Sequence, residues 1–149
     1  MTPSNLTLHE TNMRHAIRAA LRNPQRPFGA VLVDAETGIV VGASENKVHE
    51  NPILHAELAV LHETLSVSQA KGLALYSTGE PCPMCAAAAE FAGISAVYFG
   101  VSIDWLASHG WKQILLSAAD LHALVAWSEL RIQGGILEAE CADLFLAAR

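Results

Sequence analysis

Residues 79–91 read Gly79-Glu80-Pro81-Cys82-Pro83-Met84-Cys85-Ala86-Ala87-Ala88-Ala89-Glu90-Phe91, GEPCPMCAAAAEF in one-letter form. Two cysteines three apart open an alanine run with high helix propensity. Residues at that spacing lie on one face of a first helical turn, so both sulfurs point the same way. The free N–H groups of a helix start favour anions and help the thiols exist as thiolates. Taken alone, such a pair can hold a metal, cycle as a redox couple, or pack. A partner elsewhere in the chain has to decide among these.

The segments around the cysteines set the fold. Leu73-Ala74-Leu75-Tyr76-Ser77 reads as a strand entering this helix, and Ile94 to Gly100 as a strand leaving it. Upstream, Phe28 to Val33 reads as a buried strand, residues 35–38 (AETG) as a turn, and Ile39 to Ala43 as the hairpin partner. A polar loop, SENKVHENP, leads to a second helix that begins near Leu54 and is expected to bury Leu58, Leu61 and Leu65. A first helix carries Met13, Ile17, Ala20 and Leu21 and stops at Asn23-Pro24. Beyond residue 100, Ser117 to Ser128 reads as helix and Leu130 to Gln133 as an edge strand. A last helix, Leu137 to Ala148, carries the stripe Leu137, Cys141, Leu144 and Phe145. Alternating strands and helices predict parallel pairing through crossover helices. The expected fold is α/β, a three-layer α/β/α sandwich around a mixed five-stranded sheet. Residues 1–149, without repeat or linker, are expected to form a single domain.

Composition agrees. A chain of 149 residues that is 52% hydrophobic and 16% charged can bury a real core. No apolar run reaches the 18 or so residues of a membrane span, and the N-terminal residues lack a signal-peptide core, so a cytoplasmic location is expected. Three cysteines do not make a disulfide framework. A net charge of −6 disfavours broad binding to nucleic acid or anionic membrane. Arg14, Arg18 and Arg22 recur every four residues, with Arg26 beyond, and read as a solvated helix face in preference to a phosphate-contacting stripe.

The partner is His55-Ala56-Glu57 at the start of the second helix. One imidazole and two thiolates suit Zn²⁺, and a structural site would close the tetrahedron with a fourth protein ligand at a familiar spacing. None is suggested, which points to water in an open, catalytic position. Glu57 lies about 200° round an ideal helix from His55. Both reach one centre only if the helix end points at it, and a carboxylate there can move protons. With this triplet upstream, a redox pair or a closed structural zinc becomes a minor reading of CPMC. Glu80 reads as a helix cap or as a support behind the site. The remaining histidines show no ligand spacing, and Cys141 reads as a packed thiol.

H-A-E followed by P-C-x-x-C resembles the signature of the zinc-dependent nucleobase deaminases. PFGAVLVD (27–34), the asparagine of SENKV (44–48), HAELAVL (55–61), STGEPCPMCAAA (77–88) and VYFG (97–100) resemble, in that order, the cytidine and deoxycytidylate deaminase superfamily. RIQGGILEAECADLF (131–145) resembles the terminal strand and helix of tRNA adenosine deaminases. The resemblance implies a cytidine deaminase-like fold in a single zinc-site domain, one zinc per chain on His55, Cys82 and Cys85, and Glu57 as the catalytic proton shuttle. Water activated by the zinc would attack the ring carbon bearing the amino group. Glu57 would carry protons to the ring nitrogen and the departing ammonia.

For the substrate, the resemblance implies that Asn46 hydrogen-bonds the base edge and that Phe28, as in the PFGAV of guanine deaminases, stacks on a purine. Gly29 and Ala30 would let a ligand approach the backbone closely, and Trp105 and Trp111 would either line the pocket or anchor a loop. Residues 97–113 resemble the corresponding guanine deaminase segment, which has an aspartate two residues after the aromatic as a second proton shuttle. This chain has Gln113 there. Asp104, Asp120, Glu129 and Glu138 are candidates for the missing acid. The leading expectation is deamination of a free base, guanine to xanthine or a related amino-heterocycle, by a homodimer that acts on a small molecule without nucleic acid or membrane, with its C-terminal segment a candidate for exchange between protomers. tRNA adenosine and cytosine or cytidine are the alternative substrates, and a noncatalytic zinc-stabilised module is the reading from another class.

Overall fold

A computed structural model describes residues 3–67 and 69–148. Its elements are α1 (Pro3–Ala20), β1 (Gly29–Asp34), β2 (Val40–Glu45), α2 (Ala56–Leu65), β3 (Leu73–Gly79), α3 (Pro83–Ala92), β4 (Ala96–Val101), α4 (Ile103–Ser108), α5 (Ala118–His122), β5 (Arg131–Gln133) and α6 (Glu138–Ala147). The five strands form one mixed sheet in the order β2-β1-β3-β4-β5.

Side chains alternate across the sheet, and both faces are covered, which is why the strands read as continuous apolar runs. Val31, Val33, Ala74 and Tyr76 pack with Met13 and Ala16 of α1 and with Cys141 and Phe145 of α6. Ala30, Leu32, Leu73 and Leu75 pack with Ala56, Val60 and Leu61 of α2 and Ala89 of α3. The result is the three-layer sandwich expected from the sequence.

The sheet is mixed, as the sequence predicts, and two helix expectations are corrected. β3 pairs parallel with β4 and β4 with β5, whereas β1 pairs antiparallel with its hairpin partner β2 and with β3. The hairpin strand β1 sits between β2 and β3, so those two run in the same direction without touching. Helix α2 starts at Ala56 and buries Ala56, Glu57, Ala59, Val60, Leu61 and Thr64, leaving Leu58 and Leu65 half-buried. The helix expected over 117–128 ends at His122, and Leu124 and Trp127 face solvent at 82% and 63% exposure. Their apolar spacing does not serve the core of this chain. Among the described residues no helix is long and apolar enough to cross a membrane.

Candidate active site

Two helix N-termini converge at the carboxyl end of β3. His55 is the N-cap of α2, extended at φ −68° and ψ 158°, and Cys82 is the N-cap of α3 at φ −63° and ψ 166°. Because His55 stands in an extended cap and not in the helix, its ring and the Glu57 side chain both reach the same point. Pro83 opens α3, where a missing N–H costs nothing, and Cys85 completes its first turn. The side-chain donors of His55, Cys82 and Cys85 all lie within 4.8 Å of one another, with Cys82 Sγ 3.4 Å from His55 Nδ1. Among the described residues no other cluster of His, Cys, Asp or Glu could hold a metal ion.

The electrostatics fit a cation. The hydrogen bond from the Cys85 thiol, opposed by burial and aided by His55, pulls the Cys82 thiol down to about 4, so it is a thiolate at neutral pH. The same bond, with burial and the neighbouring Glu57 charge, pushes Cys85 up. His55 is raised by its hydrogen bond to Cys82. A divalent cation would displace the Cys85 proton and hold these donors in its place. Glu57 is buried, and desolvation together with the Cys82 charge pushes its carboxyl up to about 7. Its Oε1 is buried without a hydrogen-bond partner.

In front of this group lies a cavity of about 440 Å³ bordered by His55, Glu57 and Cys82 and walled by Phe28, Asn46, Val48, Ile53, Glu80, Met84, Trp111 and Gln113. Asn46 is buried and fixed by backbone bonds: its N–H donates to the Phe28 carbonyl at 3.0 Å, and its Oδ1 accepts from the Val48 N–H at 3.2 Å. Phe28 is held at the rim because the Thr78 hydroxyl donates to the Pro27 carbonyl and accepts from the Gly29 N–H. Its ring meets those of Trp111 and Phe145 edge-on at 5.5 and 4.9 Å.

Other residues lie elsewhere. Gly29 and Ala30 do not border the cavity. A Cβ on Gly29 would stand 2.2 Å from the Ala16 carbonyl oxygen, so this glycine admits α1, and Ala30 is core. Asp104, Asp120, Glu129 and Glu138 are exposed and lie outside the cavity wall, since they sit on the outer sides of α4, α5 and α6 and before β5. Trp105 stacks on His109 and packs toward Phe145, so Trp111 alone of the two lines the cavity. The Arg14 and Arg22 guanidiniums are exposed and pair with Glu140 and Glu45.

Residues 6–101 match the family model of the cytidine and deoxycytidylate deaminase zinc-binding region. The chain belongs to this deaminase family. The deaminase is 30% identical over 150 residues to the tRNA-specific adenosine deaminase of Bacillus subtilis (strain 168), covering 95% of this chain and 89% of that one. It is 33% identical over 100 residues to the guanine deaminase of the same organism, covering 61% and 63%. Among solved structures, one from studies of A-to-I editing by tRNA:A34 deaminases superposes at a TM-score of 0.73 with 31% identity, covering 90% of this chain and 98% of that one. The guanine deaminase from Nitrosomonas europaea superposes at 0.75 with 18% identity over 93% and 83%, a likeness of fold. The family is a zinc-binding one, and the deaminase's His55, Cys82 and Cys85 can bind a metal. Sequence reasoning did not place Glu80, Val48, Ile53 or Met84 in the cavity wall. The available signal was Glu80, an acid between a fully buried strand and the metal helix.

Proposed function

We propose that this deaminase hydrolyses the exocyclic amino group of a free purine-type base, guanine foremost with xanthine as product, and releases ammonia. The observation that supports it is the cavity itself. Its lining offers a flat heterocycle the aromatic and apolar surfaces of Phe28, Trp111, Val48 and Ile53, the Asn46 amide to bond its edge, and the Glu57 carboxyl. The acidic balance, −6, and a cavity mouth with only Arg26 and Lys112 as cations argue for a small molecule over a polynucleotide.

Zinc held by His55, Cys82 and Cys85, one per chain, would supply Lewis acidity that lowers the pKa of a water. The chain's own residues do the rest. Glu57, with an unpartnered buried oxygen, takes one proton from the attacking water and gives it to the ring nitrogen, then takes the second from the hydroxyl now on the ring carbon and gives it to the amine, which leaves as ammonia while the carbonyl forms. Gln113 can donate and accept hydrogen bonds with the base but cannot take its protons. The other carboxylate at the cavity, Glu80, has both oxygens engaged by backbone N–H groups. Glu57 therefore carries every transfer.

A second reading is deamination of adenosine in tRNA, favoured by 30% identity across nearly the whole Bacillus subtilis tRNA-specific enzyme. Cytosine or cytidine ranks third. Ammonia release measured with guanine, adenine, cytosine, cytidine and a tRNA anticodon stem separates them. Turnover of guanine and no other supports the proposal; turnover confined to the tRNA stem overturns it. A homodimer belongs to the same reading, supported by the exposed Phe91 and Trp127 rings, 5.5 Å apart on the α3–α5 surface. Light scattering at micromolar concentration tests it.

A further inference from the structure

Glu80 is buried to 6% exposure at the end of β3 and borders the cavity, yet its carboxylate faces neither the metal group nor solvent for its partners. Oε1 accepts the N–H of Ile103 at 2.9 Å, and Oε2 accepts the N–H of Ala118 at 2.7 Å. These are the first residues of α4 and α5, whose opening N–H groups have no partner within their own helices. The caps Ser102 and Ser117 satisfy the N–H groups of Trp105 and Asp120 and leave Ile103 and Ala118 to Glu80. Between the two helices the chain runs from Trp111 to Ser117 without regular structure. That stretch carries Trp111, Lys112, Gln113 and Ile114, a whole wall of the cavity. Trp111 anchors its start through the Leu106 carbonyl and the Phe28 and Phe145 rings, whereas Ile114 and Leu115 beyond it face solvent at 66% and 73% exposure.

We infer that Glu80 is a positioning residue: one carboxylate clasps both ends of the 103–118 segment and so sets the wall against which the base binds. The inference rests on the proposed deamination only for its kinetic readout. One carboxyl group that accepts both N–H bonds ties the two ends together, and removing it leaves buried N–H groups without a partner. The metal ligands sit at the starts of α2 and α3, and α5 reaches α3 through His122 and Glu90 near its far end, 2.7 Å apart, so loosening the clasp should leave zinc and Glu57 in place.

The test is Glu80→Gln, which keeps the volume but sets an NH₂ donor against one of the two N–H donors, with Glu80→Ala beside it. Hydrogen exchange over residues 103–118 should rise at least about tenfold, a change matching the loss of one such bond. Zinc content should stay at the wild-type level. On the base the wild type turns over, KM should rise about tenfold while kcat stays within about threefold. Unchanged exchange across 103–118 in both variants overturns the inference. So does loss of zinc and kcat at unchanged KM, which would make Glu80 a support of the metal loop. If the wild type deaminates no base of the panel, the proposed function fails, and the exchange and zinc measurements still decide on Glu80.

Discussion

Gly29→Ala separates two uses of one glycine, close approach by a ligand and close approach by a helix. The added Cβ would stand 2.2 Å from the Ala16 carbonyl oxygen, 2.3 Å from the Ala20 N and 2.8 Å from the Ala20 Cα. All three are backbone atoms, so no side chain can rotate away. Ordinary contact lies near 3.5 Å, so α1 must withdraw by about 1 Å over its last turns. That lifts Met13, Ala16 and Ala20, each fully buried, off the sheet. Overpacking of a tight core costs about 1–3 kcal/mol, and immovable neighbours place this case at the upper end, about 3 kcal/mol. For a domain of this size that corresponds to a fall in Tm of about 6–12 °C. Thermal denaturation by circular dichroism reads it, alongside zinc content and KM measured well below the transition. The expected result is a lower Tm with normal zinc and normal KM. A Tm within about 2 °C of wild type, with KM raised, would mean that substrate and not α1 occupies the space beside Gly29.

Glu57→Gln should keep its zinc and lose about 10²–10⁴ in kcat by the ammonia assay, the range ascribed to a positioned acid–base group; near-normal release would remove Glu57 from the chemistry. Phe28 packs against both halves of the core as well as the cavity, so Phe28→Ala should cost about 3 kcal/mol in urea denaturation and also raise KM. A loss of turnover with stability intact would make Phe28 purely a binding surface. Cys141 is fully buried, and burial followed by the Glu140 and Glu138 charges pushes its thiol up to about 12. A pKa raised on folding gives stability that is complete below pH 9, the unfolded value, and is lost as pH rises toward 12. Cys141 should contribute a slope of about 1.4 kcal/mol per pH unit above pH 9, measured by denaturant titration, and Cys141→Ala should remove that contribution between pH 9 and 10, below the range where Tyr76, also pushed up to about 12 by burial, adds its own. A flat profile for the wild type would contradict the buried, neutral thiol.

The metal group was legible because its chemistry is local. CPMC spans one helical turn, and HAE spans a cap and a first turn, so the spacing alone brings each set of donors to a helix end. The strands were legible for a similar reason: a sheet covered on both faces demands continuous apolar runs, as in Leu73 to Ser77. What could not be read was pairing at a distance. Nothing in Phe28 to Val33 says that this strand, paired with its hairpin partner on one side, runs against β3 on the other. The helix expected over 117–128 failed because apolar period alone does not say what covers it, and Leu124 and Trp127 meet no core in this chain. Gly29 was misread for the same reason, since a missing Cβ admits whatever approaches, and α1 lies far away in the chain. The four acids offered as a second proton shuttle were chosen by residue type without knowledge of which loop closes the cavity. The role of Glu80 was hidden because its partners are backbone N–H groups 23 and 38 residues away.

Deamination by this chain requires a zinc ion held by one imidazole and two thiolates with a position left for water. X-ray absorption at the zinc edge of the purified protein measures that shell directly. The prediction is one zinc per chain with two sulfurs at about 2.3 Å and two nitrogen or oxygen donors at about 2.0–2.1 Å. A shell of three or four sulfurs, or protein that carries no zinc when purified without chelator, would contradict it.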